Sequence, residues 1–215
     1  VAQFLTEHYK ARWLPTDHIW NKTGERIVVD YKHASLEKLV QHGLITNQEL
    51  KRYQVAAVTR NPFDWVLSKY RYHHKVHQTY HNTPPARLPA WLRGHFDDLS
   101  QAAGMTFERY VIRNYSRRTD CSVHRRYISL SGETVAVRLL RFESLQSDFE
   151  QLVWQTAATD QAIKLPHTNT SRPTASSWQE YYSPAARHII EEAFAADLAS
   201  LNYHWREAAP VDTAQ

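Results

Sequence analysis

Apolar positions follow two different periods along this chain, and the alternation between them predicts strands interleaved with helices. Runs of β-branched or small apolar residues at 25–31 and 54–59 are typical of strands. A β-hairpin is predicted over 127–140, with Gly132 in its turn. Helical spacing recurs in 1–9, 36–41, 63–75, 107–113, 146–157 and 184–200. This order predicts an α/β fold in which a mostly parallel central sheet is flanked by helices.

Capping residues indicate where two of the predicted helical segments begin or end. Ser35 stands where an N-cap is expected before 36–41, and Gly43 is placed to end that helix. Thr46 and Glu49 have the spacing of a capping box, which predicts a further short helical turn.

The segment 76–104 departs from these periods. It contains several residues that favour turns and loops, namely His77, His81, Asn82, Pro84, Pro85, Pro89 and Gly94. We therefore predict an irregular surface insertion that faces a substrate. No repeat, low-complexity tract or linker is evident elsewhere, so a single domain over 1–215 is predicted.

Composition narrows the class of protein. A chain of 215 residues, 42% of them hydrophobic, is long enough for one domain with its own core. The apolar runs are too short to span a bilayer. The one cysteine, Cys121, excludes an internal disulfide and cysteine-rich zinc sites. A formal net charge of +4 with a pI of about 9.1 suits an anionic ligand.

The segment 58–70 carries the most specific chemistry. The apolar run 55–58 ends at Arg60, the chain turns at Asn61-Pro62, and Ser68 follows two turns into the predicted helix. Pro62 suits the first turn of a helix, where its missing N–H costs nothing. A guanidinium fork and a hydroxyl that converge on one anion suit a phosphate monoester.

This arrangement resembles the 3′-phosphate-binding motif of sulfotransferases that use 3′-phosphoadenosine 5′-phosphosulfate (PAPS). The carbohydrate sulfotransferases are most similar, including heparan and dermatan 2-O-sulfotransferases and bacterial relatives. The resemblance covers about residues 1–205 and implies a three-layer fold similar to P-loop proteins. It also implies that Arg60 and Ser68 bind the 3′-phosphate. In the family a strand and the 5′-phosphosulfate loop directly precede the helix that resembles 1–9, so this loop is expected just before Val1. The segment 21–24 is superficially similar to such a loop, but it precedes a strand and is predicted to be a turn.

The same resemblance assigns further residues. His33, between a predicted strand and a helix, is similar in position to the family's catalytic histidine, with His18 and Asp17 as alternative bases. Asn169 and Arg172 lie in a late loop that is expected to fold over the nucleotide. The remaining candidates are predicted to contact the acceptor: His74, His77 and Arg113.

A metal site is not predicted, although the chain contains thirteen histidines and histidine is a common metal ligand. His77 and His81 have an i, i+4 spacing that suits zinc, but no third ligand is evident in the sequence.

The leading hypothesis is sulfuryl transfer from PAPS to a hydroxyl acceptor, expected to be a carbohydrate, with a histidine base and PAP (3′,5′-adenosine bisphosphate) as product. Two alternatives stay open: an inactive binding module for sulfated or anionic polymers, and a relative of P-loop kinases. No nucleic-acid partner and no membrane segment is expected. The expected location is the bacterial cytoplasm, or the Golgi lumen if an anchor lies upstream.

Overall fold

A computed structural model describes residues 5, 14–24, 27–30, 33–119, 121–122, 130, 135–157, 164–165 and 177–205. The chain divides into two compact units, each built from two stretches. The first unit comprises 1–60 and 122–168, and the second comprises 61–121 and 169–215. The predicted single domain stays a prediction.

The described elements alternate between short strands and helices. In chain order they are β1 (Ile19–Trp20), β2 (Ile27–Val29), α1 (Leu36–Gln41), α2 (Asn47–Leu50), β3 (Val55–Thr59), α3 (Pro62–Tyr80), α4 (Ala90–Arg93), α5 (Phe96–Ala103), α6 (Phe107–Tyr115), β4 (Val137–Arg141), α7 (Leu145–Ala157), α8 (Pro184–Ala193) and α9 (Ala195–Ser200). Single 3₁₀ turns occupy Pro85–Arg87, Phe142–Ser144 and Trp178–Tyr181.

Two small sheets form in the first unit. β1 and β2 pair antiparallel, whereas β3 and β4 pair parallel with Val55 opposite Val137 and Thr59 opposite Arg141. A mixed α/β character with parallel pairing is therefore confirmed, and the three-layer P-loop-like fold stays a prediction. The first strand of the predicted hairpin, apart from Leu130, and its turn lie outside the described residues.

The first unit has its core where α7 covers β4. Leu140 of β4 packs with Phe149 and Val153 of α7, and all three side chains are buried. Leu145 and Leu152 extend the cluster from the same helix. The apolar face of α7 therefore packs against β4 and holds this strand, including its carboxyl end, in place.

The second unit is helical in its described part. α3 packs against α5, and Val76 of α3 and Leu99 of α5 share one buried cluster with Leu92 of α4. An aromatic cluster covers the start of α3: the Phe63 ring stacks on Trp178 at 5.3 Å, and the Tyr182 hydroxyl donates a hydrogen bond to the Phe63 carbonyl oxygen at 2.8 Å.

The prediction of irregular structure over 76–104 is wrong. α3 continues to Tyr80, and α4 and α5 occupy much of the remainder. The prolines stand at helix starts rather than in helix interiors: Pro85 is the first residue of a 3₁₀ turn, and Pro89 is the N-cap of α4. Proline is tolerated there because the first turn has no intrahelical partner for its N–H.

The helix predicted over 184–200 is interrupted. α8 ends at Ala193, and Phe194 separates it from α9. The Phe194 side chain is buried. Its backbone φ of −114° departs from the helical value, so the helical hydrogen-bond pattern restarts after it.

The predicted capping signals are confirmed. The Ser35 side chain accepts a hydrogen bond from the Lys38 N–H, and Thr46 and Glu49 form a reciprocal capping box. Beyond α1, the Gly43 N–H donates to the Val40 carbonyl and the Leu44 N–H donates to the Leu39 carbonyl. This pair of bonds is a Schellman motif, and it places Gly43 in the left-handed region with a φ of +66°.

Gly43→Ala is expected to lower the free energy of unfolding by about 1 kcal/mol, because a Cβ disfavours positive φ. No atom lies within 4 Å of the added Cβ, so backbone strain alone accounts for the loss. Gly94→Ala is the matched control, since Gly94 has a φ of −80° and equally open surroundings. Urea denaturation measures both. A loss as large in Gly94→Ala would contradict the strain explanation.

Candidate functional site

Arg60 follows directly after β3, at the carboxyl end of the parallel strand pair. The neighbouring strand β4 ends at Arg141, which is in register with the buried Thr59. Two arginines therefore stand at the ends of adjacent strands. The carboxyl edge of parallel strands is where α/β proteins commonly bind ligands, and here that edge carries positive charge.

Aromatic contact restrains the Arg60 side chain. Its guanidinium carbon lies 4.3 Å from the centroid of the Phe142 ring, in a cation–π geometry. Phe142 belongs to the 3₁₀ turn that follows β4, and Asp148 holds this turn: its carboxylate accepts hydrogen bonds from the Arg141 N–H at 2.7 Å and the Ser144 hydroxyl at 3.1 Å. The predicted placement of Arg60 at a strand end is thus confirmed.

The predicted turn and helix start are also confirmed. Asn61 is the N-cap of α3, its side-chain oxygen accepts a hydrogen bond from the Phe63 N–H at 3.0 Å, and Pro62 is the first helical residue. Ser68 is half-buried in the second turn of this helix. Arg60 belongs to the first unit and Ser68 to the second. Their joint binding of one phosphate stays a prediction.

Asp30 is a residue that the sequence reasoning missed, and it contacts the two candidate histidines. The His33 N–H donates to the Asp30 side chain at 3.2 Å, while the exposed His33 side chain stands in a turn. The His18 Nδ1 atom lies 3.9 Å from the same carboxylate oxygen. The available signal was an acid near the end of the strand predicted over 25–31, three residues before His33. A carboxylate beside an imidazole can orient the ring.

The Asp30 carboxylate thus faces the side chain of His18 rather than that of His33. The His18 side chain is 18% exposed and packs edge-on against Trp20 at 6.2 Å, so its ring is restrained. The third alternative base, Asp17, accepts a hydrogen bond from the His18 N–H at 2.7 Å. Among the three alternatives, His18 has the surroundings best suited to a general base.

The late-loop candidates Asn169 and Arg172 lie outside the described residues. Their predicted contacts with the nucleotide therefore stay predictions.

The predicted acceptor residues do not share one site in the second unit. A cavity of about 240 Å³ is lined by His73, His95, Asp98, Leu99, Ala102, Arg113 and Asn114. Arg113 is thus the one predicted acceptor residue in the lining. His74 instead packs against Tyr70 at 4.4 Å, and the His77 Nδ1 atom is 3.2 Å from the Ser100 hydroxyl. His73, the neighbour of the predicted residue His74, lines the cavity and was not among the predicted site residues.

The His77 and His81 rings are 5.6 Å apart, in keeping with their spacing. Within the described ranges, no group of three or more His, Cys, Asp or Glu side chains is arranged to hold a metal ion.

Burial and nearby positive charge both act on His73. Burial of the ring, and then the charges of Lys69, His95 and His74, lower its pKa from 6.5 to about 4. The unfolded chain binds a proton at this residue near pH 6.5, whereas the folded protein resists protonation until about pH 4. The unfolded state therefore holds more protons between these values, and stability falls as the solution is acidified.

We expect His73 to account for a loss of about 1–2 kcal/mol of unfolding free energy between pH 6.5 and pH 4, allowing for its partial exposure. Urea denaturation at a series of pH values measures this. His73→Gln should remove that part of the pH dependence, while His188→Gln should keep it, because the His188 side chain is 69% exposed. If the free energy of unfolding falls equally steeply with decreasing pH in wild type and in His73→Gln, His73 is not the titrating group.

No protein-family model matches this chain, and neither a curated protein nor a solved structure matches it. In the part of the chain that is described, no helix combines the length and the apolar character needed to cross a membrane.

Proposed function

We propose that this protein is a PAPS-dependent sulfotransferase that acts on a hydroxyl group, with a carbohydrate as the acceptor. The observation that supports this best is Arg60 at the carboxyl end of the parallel strand β3, followed by the Asn61-Pro62 start of α3 and by Ser68. The motif whose sequence resembles a 3′-phosphate site therefore has the strand, turn and helix that such a site requires.

The chemistry of the strand edge fits the nucleotide. A phosphate monoester carries nearly two negative charges at neutral pH and offers several acceptor oxygens. Arg60 supplies a planar fork of donors, and Arg141 adds positive charge at the neighbouring strand end. In this proposal Arg60 and Ser68 hold the 3′-phosphate, and Asn169 and Arg172 contact the nucleotide from the late loop. PAPS, when bound, supplies the sulfuryl group.

The acceptor hydroxyl must lose a proton to a base near neutral pH. His33 is the base that the family resemblance implies. His18 is the second candidate, and its proximity to the Asp30 carboxylate favours it, since a carboxylate at this position can orient the imidazole ring. Either residue transfers its proton to solvent once the product has left.

Transfer of radiolabelled sulfate from PAPS to a panel of polysaccharides, oligosaccharides and simple alcohols tests the proposed activity. We expect label in a carbohydrate only when protein and PAPS are both present. Salt-sensitive heparin binding without transfer or PAP binding would favour the polymer-binding module instead. Activity that requires ATP and Mg²⁺ would favour the kinase alternative.

A further inference from the structure

We propose that the cavity in the second unit is a binding site for a small oxyanion, a carboxylate or a sulfate group, with Arg113 as its principal ligand. Neither Arg60 nor Ser68, the described residues of the proposed nucleotide site, lines this cavity. The inference therefore goes beyond the sulfotransferase proposal and does not depend on it.

The walls of the cavity come from three helices and one connecting residue. His73 lies on α3, His95 precedes α5, Asp98 lies on α5, and Arg113 and Asn114 lie on α6. Its volume of about 240 Å³ is several times the roughly 30 Å³ that one water molecule occupies in the liquid. Polar side chains that converge on a space of this size from separate helices are typical of sites for small ligands.

Positive charge lies in and beside the cavity. Arg113 contributes a permanent charge, and Lys69 and His74 act on His73 from the same helix, together with His95. Asp98 is the acid among the lining residues. Its side chain is 81% exposed, and its oxygen lies 3.7 Å from the Arg113 guanidinium. An exposed pair at this distance contributes little, so an incoming anion can replace Asp98 as the partner of Arg113.

A buried ring nitrogen supplies a second and independent observation. The His73 Nδ1 atom is buried and has no hydrogen-bond partner in the described part of the protein. Buried polar atoms are usually paired, and an unpaired one often marks the place of a water molecule or a ligand. An oxyanion bound beside His73 would offset the repulsion that a protonated His73 ring experiences from Lys69, His74 and His95.

Anion binding should consequently be coupled to protonation of His73. The negative charge favours the imidazolium, so affinity is expected to rise as the pH falls from 5 toward 4, the range in which His73 takes up its proton. The charged and titratable groups around His73 are Lys69 and His74 on α3, His95 before α5, Asp98 on α5 and Arg113 on α6.

Titration of sodium sulfate and of sodium acetate into the full chain, followed by NMR of the histidine side chains at constant ionic strength, tests the site. In the wild type we expect saturable shifts of the His73 resonances and a rise of its pKa by at least about half a unit relative to chloride. Saturation by one salt alone would identify the preferred oxyanion. No saturable shift with either salt, or an unchanged His73 pKa, would overturn the proposal.

Two matched variants separate specific binding from general charge effects. Arg113→Gln should weaken the binding by at least about tenfold, because the charged fork is lost. Arg109→Gln removes the same charge from an exposed position on the same helix and should leave the affinity unchanged. His73→Gln should abolish most of the pH dependence. Equal weakening in the two arginine variants would contradict the assignment of Arg113.

Discussion

Replacing Arg60 with alanine is expected to weaken PAP binding by roughly 10- to 100-fold, which is the range for loss of hydrogen bonds to a charged group. Arg60 stands at the carboxyl end of β3, and its guanidinium packs on Phe142. Arg60→Lys keeps the charge but loses the planar fork, so an intermediate loss is expected. Isothermal titration calorimetry with PAP measures all three proteins.

The matched control for Arg60→Ala removes one arginine charge at a different position. Arg117 is exposed beyond the end of α6, and Arg117→Ala should bind PAP as the wild type does. A comparable loss in both alanine variants would mean that overall charge, and not a site at the strand end, sets the affinity. Circular dichroism verifies that each variant is folded, because removal of Arg60 also removes its contact with Phe142.

Replacing the catalytic base is expected to lower turnover by about 10²- to 10⁴-fold while PAP affinity stays near that of the wild type. If His33 is the base, His33→Ala shows this pattern. Because the His33 side chain is exposed, the variant is expected to fold as the wild type does, and thermal unfolding checks this. Equal loss of turnover and of PAP binding would remove His33 from the catalytic role.

Variants of His18 and Asp30 test the alternative assignment, in which His18 is the base. If His18 is the base, His18→Ala lowers turnover strongly and Asp30→Asn lowers it as well, because the carboxylate near the His18 Nδ1 atom is lost. His33→Ala would then be close to wild type. Thermal unfolding of each variant distinguishes loss of the base from loss of folded structure. Full activity in both histidine variants would exclude both residues.

The parts of the fold that sequence reasoning predicted correctly depend on short-range chemistry. Ser35 and Thr46 each cap a helix through a backbone N–H three residues away, and Pro62 acts at the first turn of the helix that it opens. The residues that make such signals lie within one helical turn of each other in the sequence. They explain why the position of Arg60 at a strand end could be predicted.

The parts that sequence reasoning missed depend on distant residues. Whether the prolines of 76–104 break helices or begin them depends on packing of Leu88 and Leu92 against Val76 of α3. The contact between His18 and Asp30 joins residues on either side of the β1–β2 pair. The cavity in the second unit likewise gathers side chains from three helices, and no local spacing encodes that arrangement.

The most direct test of the proposed function compares PAP with adenosine 5′-monophosphate, which lacks only the 3′-phosphate. Both are titrated into the wild-type protein by calorimetry under the same salt conditions. We expect PAP to bind with micromolar affinity and the monophosphate to bind at least about tenfold more weakly, because only PAP reaches Arg60 with a dianionic group. Equal affinity for the two nucleotides, or no binding of PAP, would contradict the proposed 3′-phosphate site.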